Sequence, residues 1–248
     1  MQVVALHGFT GSKESFARVL PALPAGTSVL RPALLGHYGS KRPPELNTFE
    51  AEVDYLAEHF LRPCRAPVLL VGYSLGGRVA LGLAARYPEL VARVLVIGAH
   101  PGLESAAARA ERQQDDERWC ALLEAEGIRA FVSAWEQQPL FENQLGLPRD
   151  LLARRHAERL AHDPRGLARA LRALGLGAMP PLTSALARAE RPLHLVTGGL
   201  DTKFTSLAAE LAQRLPCART TVVRGAGHDV LLEQPEVLAN LITQELSP

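Results

Sequence analysis

The chain has little that would tie it to disulfide, metal, membrane or nucleic-acid chemistry. Only three cysteines occur in 248 residues, Cys64, Cys120 and Cys217. They are odd in number and widely spaced, with no C-x-x-C pair, so neither a disulfide framework nor a zinc site is expected and a reducing compartment fits. No apolar run approaches the length of a membrane span, and no charged head followed by an apolar stretch opens the chain. Neither charge sign dominates, with 27 Lys and Arg against 26 Asp and Glu and a formal net charge of +1. That balance gives no reason to expect nucleic acid or an anionic membrane as partner. Repeats and low-complexity segments are missing too. The expectation is a soluble cytoplasmic protein acting on a small molecule. At this length it can bury about 70 to 75% of its unfolded surface in one domain.

What is present centres on Val71-Gly72-Tyr73-Ser74-Leu75-Gly76-Gly77-Arg78. An apolar run, Pro67 to Val71, precedes it and a helical stretch, Arg78 to Arg86, follows. The five residues Gly72 to Gly76 match the nucleophile elbow G-x-S-x-G, a strand-to-helix turn too tight for side chains at its flanks. Ser74 then stands at a helix start, where the Leu75 amide and the positive end of the helix can face a developing oxyanion. A bare G-x-S-x-G is common by chance, and a plain Gly/Ser turn is the competing reading. The flanking strand and helix favour the elbow.

In chain order, Gln2 to Leu6 reads as a buried strand running into His7-Gly8-Phe9-Thr10-Gly11-Ser12. In α/β-hydrolases a loop of this H-G kind supplies the second oxyanion-hole amide, which makes the Phe9 N–H the candidate; His7 is read as tying the loop down. Ser15 to Leu20 looks helical and Ser28 to Arg31 looks like a short strand. The turn Ala33 to Ser40 departs from the D-x-P-G-H-G common at this place, and Ala33 leaves it without the usual acidic anchor. Phe49 to Leu61 has helical spacing, and Val91 to Ile97 is a further strand. Between Pro101 and Gly175 there is only helical text broken by Pro139, Pro148 and Pro164. The expected organisation is a core of residues 1–100 and 181–248 with a helical cap, 101–180, inserted in it. Strands at Arg191 to Thr197 and Arg219 to Val223 alternate with helices at Thr205 to Leu215 and from Gln234 to about Leu246. This alternation predicts an α/β fold, a mostly parallel sheet covered on both faces. The leading strands of the α/β-hydrolase fold are expected to be absent.

A serine hydroxyl needs a histidine to accept its proton and a carboxylate to orient that histidine. Ser74, Asp201 and His228 occur in the Ser…Asp…His order of α/β-hydrolases, the last two in loops directly after predicted strands. Such loops fall at the carboxyl edge of a parallel sheet, where ligands bind. Asp229 is the neighbour that could be mistaken for the acid, but adjacent loop side chains do not easily take the required orientation.

More specific phrases surround this set: Gly76-Gly77-Arg78, Gly98-Ala99-His100-Pro101-Gly102-Leu103, Arg109-Ala110-Glu111-Arg112, Trp135-Glu136-Gln137-Gln138-Pro139-Leu140-Phe141 and Asp201-Thr202-Lys203-Phe204. Together they resemble the 2-succinyl-6-hydroxy-2,4-cyclohexadiene-1-carboxylate synthases, α/β-hydrolase-fold lyases of menaquinone biosynthesis, from about Leu6 to Leu241. The resemblance implies elimination of pyruvate from a tricarboxylate, with no metal or organic cofactor. It implies Ser74, Asp201 and His228 as catalytic residues, with Ser74 a relayed base and no acyl-enzyme. Arg78, Arg112 and Arg155 are implied as carboxylate-binding, and Tyr73, Trp135, Phe141 and Lys203 as further pocket residues. Glu136 stands where the family often has an aromatic residue, so an altered pocket wall is expected. Rival readings are a carboxylesterase or carbon-carbon hydrolase, and a non-catalytic receptor. The sequence is silent on oligomeric state.

Overall fold

The computed structural model describes residues 1–247. Six parallel strands form one sheet in the order β2-β1-β3-β4-β5-β6. They are β1 (Val3–Leu6), β2 (Val29–Leu30), β3 (Val68–Tyr73), β4 (Val91–Ile97), β5 (Leu193–Gly198) and β6 (Ala218–Val223). The inner strands β1, β3 and β5 are buried at every position, as a sheet covered on both faces requires. Edge strand β6 keeps Arg219, Thr220 and Val222 exposed, and β2 is only two residues long.

Helices α1 (Phe49–Leu56) and α2 (Leu75–Arg86) precede β4. Helices α3 (Ala106–Trp135), α4 (Arg149–Leu160), α5 (Pro164–Leu174) and α6 (Thr183–Ala189) fill the interval between β4 and β5, with no strand among them. Then come α7 (Thr202–Arg214), α8 (Val230–Glu233) and α9 (Pro235–Leu246). One apolar cluster joins α1, α2 and α7 to the sheet, and another packs α8 and α9 on it. A third, built from Cys120, Leu123, Phe131 and Val132 of α3 with Leu167, Ala168 and Leu171 of α5, gives the helical interval a core of its own. Among the described residues no helix is long and apolar enough to cross a membrane.

Local departures from the sequence reading have local causes. The helix expected over Ser15 to Leu20 is two 3-10 turns, Lys13–Phe16 and Leu20–Ala22. Ser12 caps the first through a capping box, so it starts early, and Pro21 opens the second. The helix expected over Phe49 to Leu61 ends as α-helix at Leu56 and continues as a π turn, Ala57–Leu61. Helix α7 starts at Thr202 because the Asp201 carboxylate accepts from the Phe204 N–H at 3.2 Å and caps it.

Two polar devices hold the loops at the carboxyl edge. The turn that lacks an acidic anchor at Ala33 takes one from α1: Glu52 accepts from the Leu35 N–H at 3.1 Å and pairs with Arg42 at 2.8 and 2.9 Å. Three histidines hold the rest. His7 donates from Nδ1 to Gly8 O and accepts at Nε2 from the Leu34 N–H. His37 donates to Leu35 O and accepts from the Thr10 N–H, while His162, just past α4, donates to Thr10 O and accepts from the Tyr38 N–H. Each ring has one donor and one acceptor nitrogen engaged, which only neutral imidazole allows.

Glu52 is fully buried, so Glu52→Ala strands Arg42 and should cost about 3 to 5 kcal/mol in urea denaturation. Burial lowers His7 from 6.5 to about 4 and lowers His37 and His162 as well. A histidine depressed in the folded state protonates first in the unfolded chain, so stability is complete above about 6.5 and falls as pH drops towards about 4. For His7 alone the loss is on the order of 3 kcal/mol. Unfolding free energies measured from pH 7 to 4 should show a shallower slope in His7→Gln.

Candidate active site

The end of β3 turns into α2 through Ser74, whose φ of +50° and ψ of −110° lie outside the regions ordinary residues favour. Close packing imposes this. A Cβ on Gly76 would lie 2.3 Å from Leu6 O, and one on Gly72 would lie 2.5 Å from Gly76 O. The turn therefore nests against the end of β1 only with glycine at both places. Ser74 donates its N–H to Ile97 O at 2.8 Å, and its hydroxyl makes no helix cap.

That hydroxyl meets His228, with Ser74 Oγ 3.1 Å from Nε2. On the far side of the ring, His228 Nδ1 donates to Asp201 Oδ2 at 2.7 Å. The second Asp201 oxygen is held by the α7 cap, so the carboxylate has one orientation. With Nδ1 carrying the hydrogen, Nε2 is left to accept the serine proton. Tyr73 and Phe204 flank the ring at centroid distances of 5.4 and 4.7 Å. A Cβ on Gly98 would lie 2.7 Å from His228 Cε1, so the loop after β4 also has to be bare there. Asp229 faces away from this chain and pairs with Arg155.

As the first residue of α2, Leu75 has an N–H with no intrahelical acceptor, and the Phe9 N–H donates to no protein group among the described residues. Both residues line the cavity that Ser74 and His228 face, a space of about 280 Å³. Five strands contribute to it from their carboxyl ends: Phe9 follows β1, Ser74 β3, His100 β4, Asp201 β5 and His228 β6. All but Asp201, which stands behind the histidine, line the cavity wall.

The rest of the wall carries three cationic side chains among mostly apolar neighbours such as Leu140, Leu171 and Leu176. Arg78, Arg112 and Lys203 line it with Trp135. Burial, then Arg112, lowers the Arg78 guanidinium to about 10 against the pull of Asp116. Among the described residues, Arg78 Nη1 and Trp135 Nε1 are buried donors without a protein acceptor. Such orphans fit a site whose acceptors arrive with the ligand. Two titratable wall residues escaped the sequence reading. His100 accepts at Nδ1 from the Gly102 N–H at 3.0 Å, and burial, then Arg78, Lys203 and Arg112, lowers it to about 4. It is thus a neutral ring that registers the positive field of all three cations. Asp116 accepts from Arg112 Nε at 2.9 Å, and burial raises its carboxyl against the pull of Arg112 and Arg78. His100 lies in a phrase the sequence singled out; Asp116, one acid in a polar run, gave no signal.

Three expected pocket residues sit elsewhere. Tyr73 is buried behind His228, where burial holds its phenol well above the ordinary value. Phe141 packs 6.2 Å from Trp135 with the Arg159 guanidinium 4.8 Å over its ring, so it backs the wall without lining it. Arg155 is taken up by Asp229, Glu158 and Ser15 and borders a different cavity, of about 830 Å³, between the Ser12–Arg18 segment and α4. That larger space contains none of the triad. Glu136, expected to alter the wall, instead pairs with Arg159 at 2.7 Å and His156 at 2.9 Å. Among the described residues no cluster of metal-ligating side chains occurs.

Residues 3–241 match the family model of the alpha/beta hydrolase family. The 2-succinyl-6-hydroxy-2,4-cyclohexadiene-1-carboxylate synthase of Shigella flexneri serotype 5b (strain 8401) is 36% identical over 240 residues, 96% of this chain and 91% of the relative. The enzyme of the same name from Enterobacter sp. (strain 638) is 33% identical over 98% of this chain and 91% of its own. The solved structure of MenH from S. aureus is similar at a TM-score of 0.94 and 28% identity, covering 99% of this chain and 93% of that one. Agreement of fold, elbow and near-full-length identity makes the assignment: the chain belongs to the 2-succinyl-6-hydroxy-2,4-cyclohexadiene-1-carboxylate synthase family of α/β-hydrolases.

Proposed function

We propose that this protein is a lyase that eliminates pyruvate from 2-succinyl-5-enolpyruvyl-6-hydroxy-3-cyclohexene-1-carboxylate, giving 2-succinyl-6-hydroxy-2,4-cyclohexadiene-1-carboxylate in menaquinone biosynthesis. The observation that carries this reading is the pairing, in one small cavity, of a serine-histidine relay with three cationic side chains. The substrate has three carboxylates, one on the ring, one on the succinyl arm and one on the enolpyruvyl group. Guanidinium forks suit them in shape and charge.

The chemistry follows from the two structures. The ring proton at position 2 is α to the succinyl ketone, so its removal puts charge on the ketone oxygen. His228 accepts the Ser74 proton at Nε2 while Ser74 Oγ takes the ring proton. Electrons from the broken C–H bond form the 2,3 double bond, the 3,4 double bond moves to 4,5, and the bond from C5 to the enolpyruvyl oxygen breaks. Enolpyruvate leaves and takes up a proton to become pyruvate. The Phe9 and Leu75 amides would meet the ketone oxygen as its charge grows, each worth about 2.7 to 4 kcal/mol. Asp201 keeps the imidazole in the accepting tautomer and stabilises the imidazolium. In this reading residues 101–180 are the cap that closes α3 and the Trp135 segment over the cationic wall.

Two outcomes test it. In a coupled assay of pyruvate release, Ser74→Ala should lose at least about 100-fold in kcat, as removal of a positioned acid-base group does. Mass spectrometry of wild type quenched in turnover should find no substrate attached to Ser74; a covalent adduct would refute the relayed-base role. Arg78→Ala and Arg112→Ala should each lower kcat/KM by about 10- to 100-fold, from the 1.5 to 3 kcal/mol of a charge-assisted contact. Neutral short-chain esters, if turned over at all, should be indifferent to both changes.

A further inference from the structure

Arg155 lies on α4, yet its contacts tie two catalytic loops together. Its side chain is 7% exposed, and Nη2 donates to Asp229 Oδ2 at 2.8 Å. Asp229 is 1% exposed and follows His228 directly; its other oxygen accepts from the Leu232 N–H at 3.2 Å and caps α8. Arg155 Nη1 donates to Glu158 Oε2 at 3.0 Å and to Ser15 Oγ at 3.3 Å. Glu158 Oε1 accepts in turn from Ser12 Oγ at 2.6 Å and Ser15 Oγ at 3.2 Å. One guanidinium thus joins α4 to the histidine loop and to the segment just beyond Phe9.

We propose that Arg155 is a positioning residue that acts through Asp229 to hold the His228 loop in register with Ser74, and that it is not a ligand of a substrate carboxylate. Three observations support this. Arg155 does not border the cavity that Ser74 and His228 face. Both Nη atoms are already engaged, and the unpartnered Nε is sealed from solvent. To take up a substrate carboxylate, Arg155 would have to release Asp229, leaving a buried unpaired charge next to the catalytic histidine. The pairing has a second consequence. With Asp229 bound to Arg155, Asp201 orients the imidazole without competition from the adjacent carboxylate. Burial works against the Arg155 charge, but Asp229 and Glu158 outweigh it and keep the guanidinium protonated.

The inference rests on Ser74 and His228 being the reacting pair, but not on the identity of the substrate, so the test uses a probe without carboxylates. Diisopropyl fluorophosphate reacts with an activated serine: a bond forms from Ser74 Oγ to phosphorus, the phosphorus-fluorine bond breaks, fluoride leaves, and His228 takes the hydroxyl proton. Labelling rates of the full chain are read by intact mass. Arg155→Met should slow labelling at least tenfold, while Arg154→Met, its exposed neighbour, should label at the wild-type rate. Asp229→Asn, nearly isosteric and leaving Arg155 its Glu158 partner, should slow labelling as Arg155→Met does even if the methionine variant folds poorly. The double variant should be no slower than the slower single one, and Arg155→Lys should recover part of the rate. Arg155→Met or Asp229→Asn labelling within twofold of wild type would overturn the proposal. So would a tenfold rise in KM with kcat retained when Arg155→Met is assayed for pyruvate release. A wild type that labels but releases no pyruvate would refute the synthase reading alone and leave this one to be decided by the variants.

Discussion

The carbonyls of Leu6 and His7 lie so close to the turn after β3 that a methyl group at Gly76 would overlap both, at 2.3 and 2.4 Å. This contact sets the rest of the site. It presses the start of α2 under the end of β1, which brings the Leu75 amide beside the loop that carries Phe9. It leaves Ser74 a backbone conformation that costs about 1 to 3 kcal/mol wherever it occurs. The surrounding structure holds that strain in place, through the Ser74 N–H bond to Ile97 O and the ladder between β3 and β4. A serine so placed has its hydroxyl clear of the helix and facing the imidazole.

Charge is arranged with the same economy. The residues behind the triad are paired internally: Arg155 with Asp229 and Glu158, Arg159 with Glu136, Arg42 with Glu52. At the cavity wall the balance differs, because among the described residues Arg78, Arg112 and Lys203 share the lining with one acid, Asp116. Burial, with Arg78, Lys203 and Arg112 adding to it, holds His100 neutral beside them. A cavity of this kind is poor for neutral esters and good for anions. The polar groups that look most available in the sequence, the arginines of the helical interval, divide between the two arrangements, and only the fold decides which goes where.

The parts of this that were legible in the sequence are those fixed by local geometry. Gly72 and Gly76 must be glycine for steric reasons, and the strand runs around them are continuous because both faces are covered; both constraints can be read along the chain. The order of Ser74, Asp201 and His228 is legible because each follows its own strand. The pairing of Arg155 with Asp229 leaves no signal in the sequence because the two are distant along the chain and meet only when α4 packs on the histidine loop. Glu52 escaped notice as the anchor of the turn after β2 for the same reason: a helix supplies, from another part of the chain, what Ala33 lacks. Long-range pairing between charged side chains leaves no periodic trace.

The division of labour in the cavity also says which groups can accelerate the reaction. The three substrate carboxylates bear the same charge before, during and after proton transfer. In the proposed mechanism the arginines that hold them therefore stabilise ground state and transition state alike, which strengthens binding and orients the ring without lowering the chemical barrier. Charge changes on the succinyl ketone oxygen, on the imidazole and on the departing enolpyruvyl oxygen. In the proposed mechanism the Phe9 and Leu75 amides meet the ketone oxygen and the Asp201 carboxylate meets the imidazole, and all three are fixed by backbone or by the α7 cap before any substrate arrives. Preorganised dipoles need no rearrangement at the moment of reaction, so they act at full strength where the barrier lies. On the proposed function, the cations of the wall select which molecule enters and the carboxyl edge of the sheet transforms it.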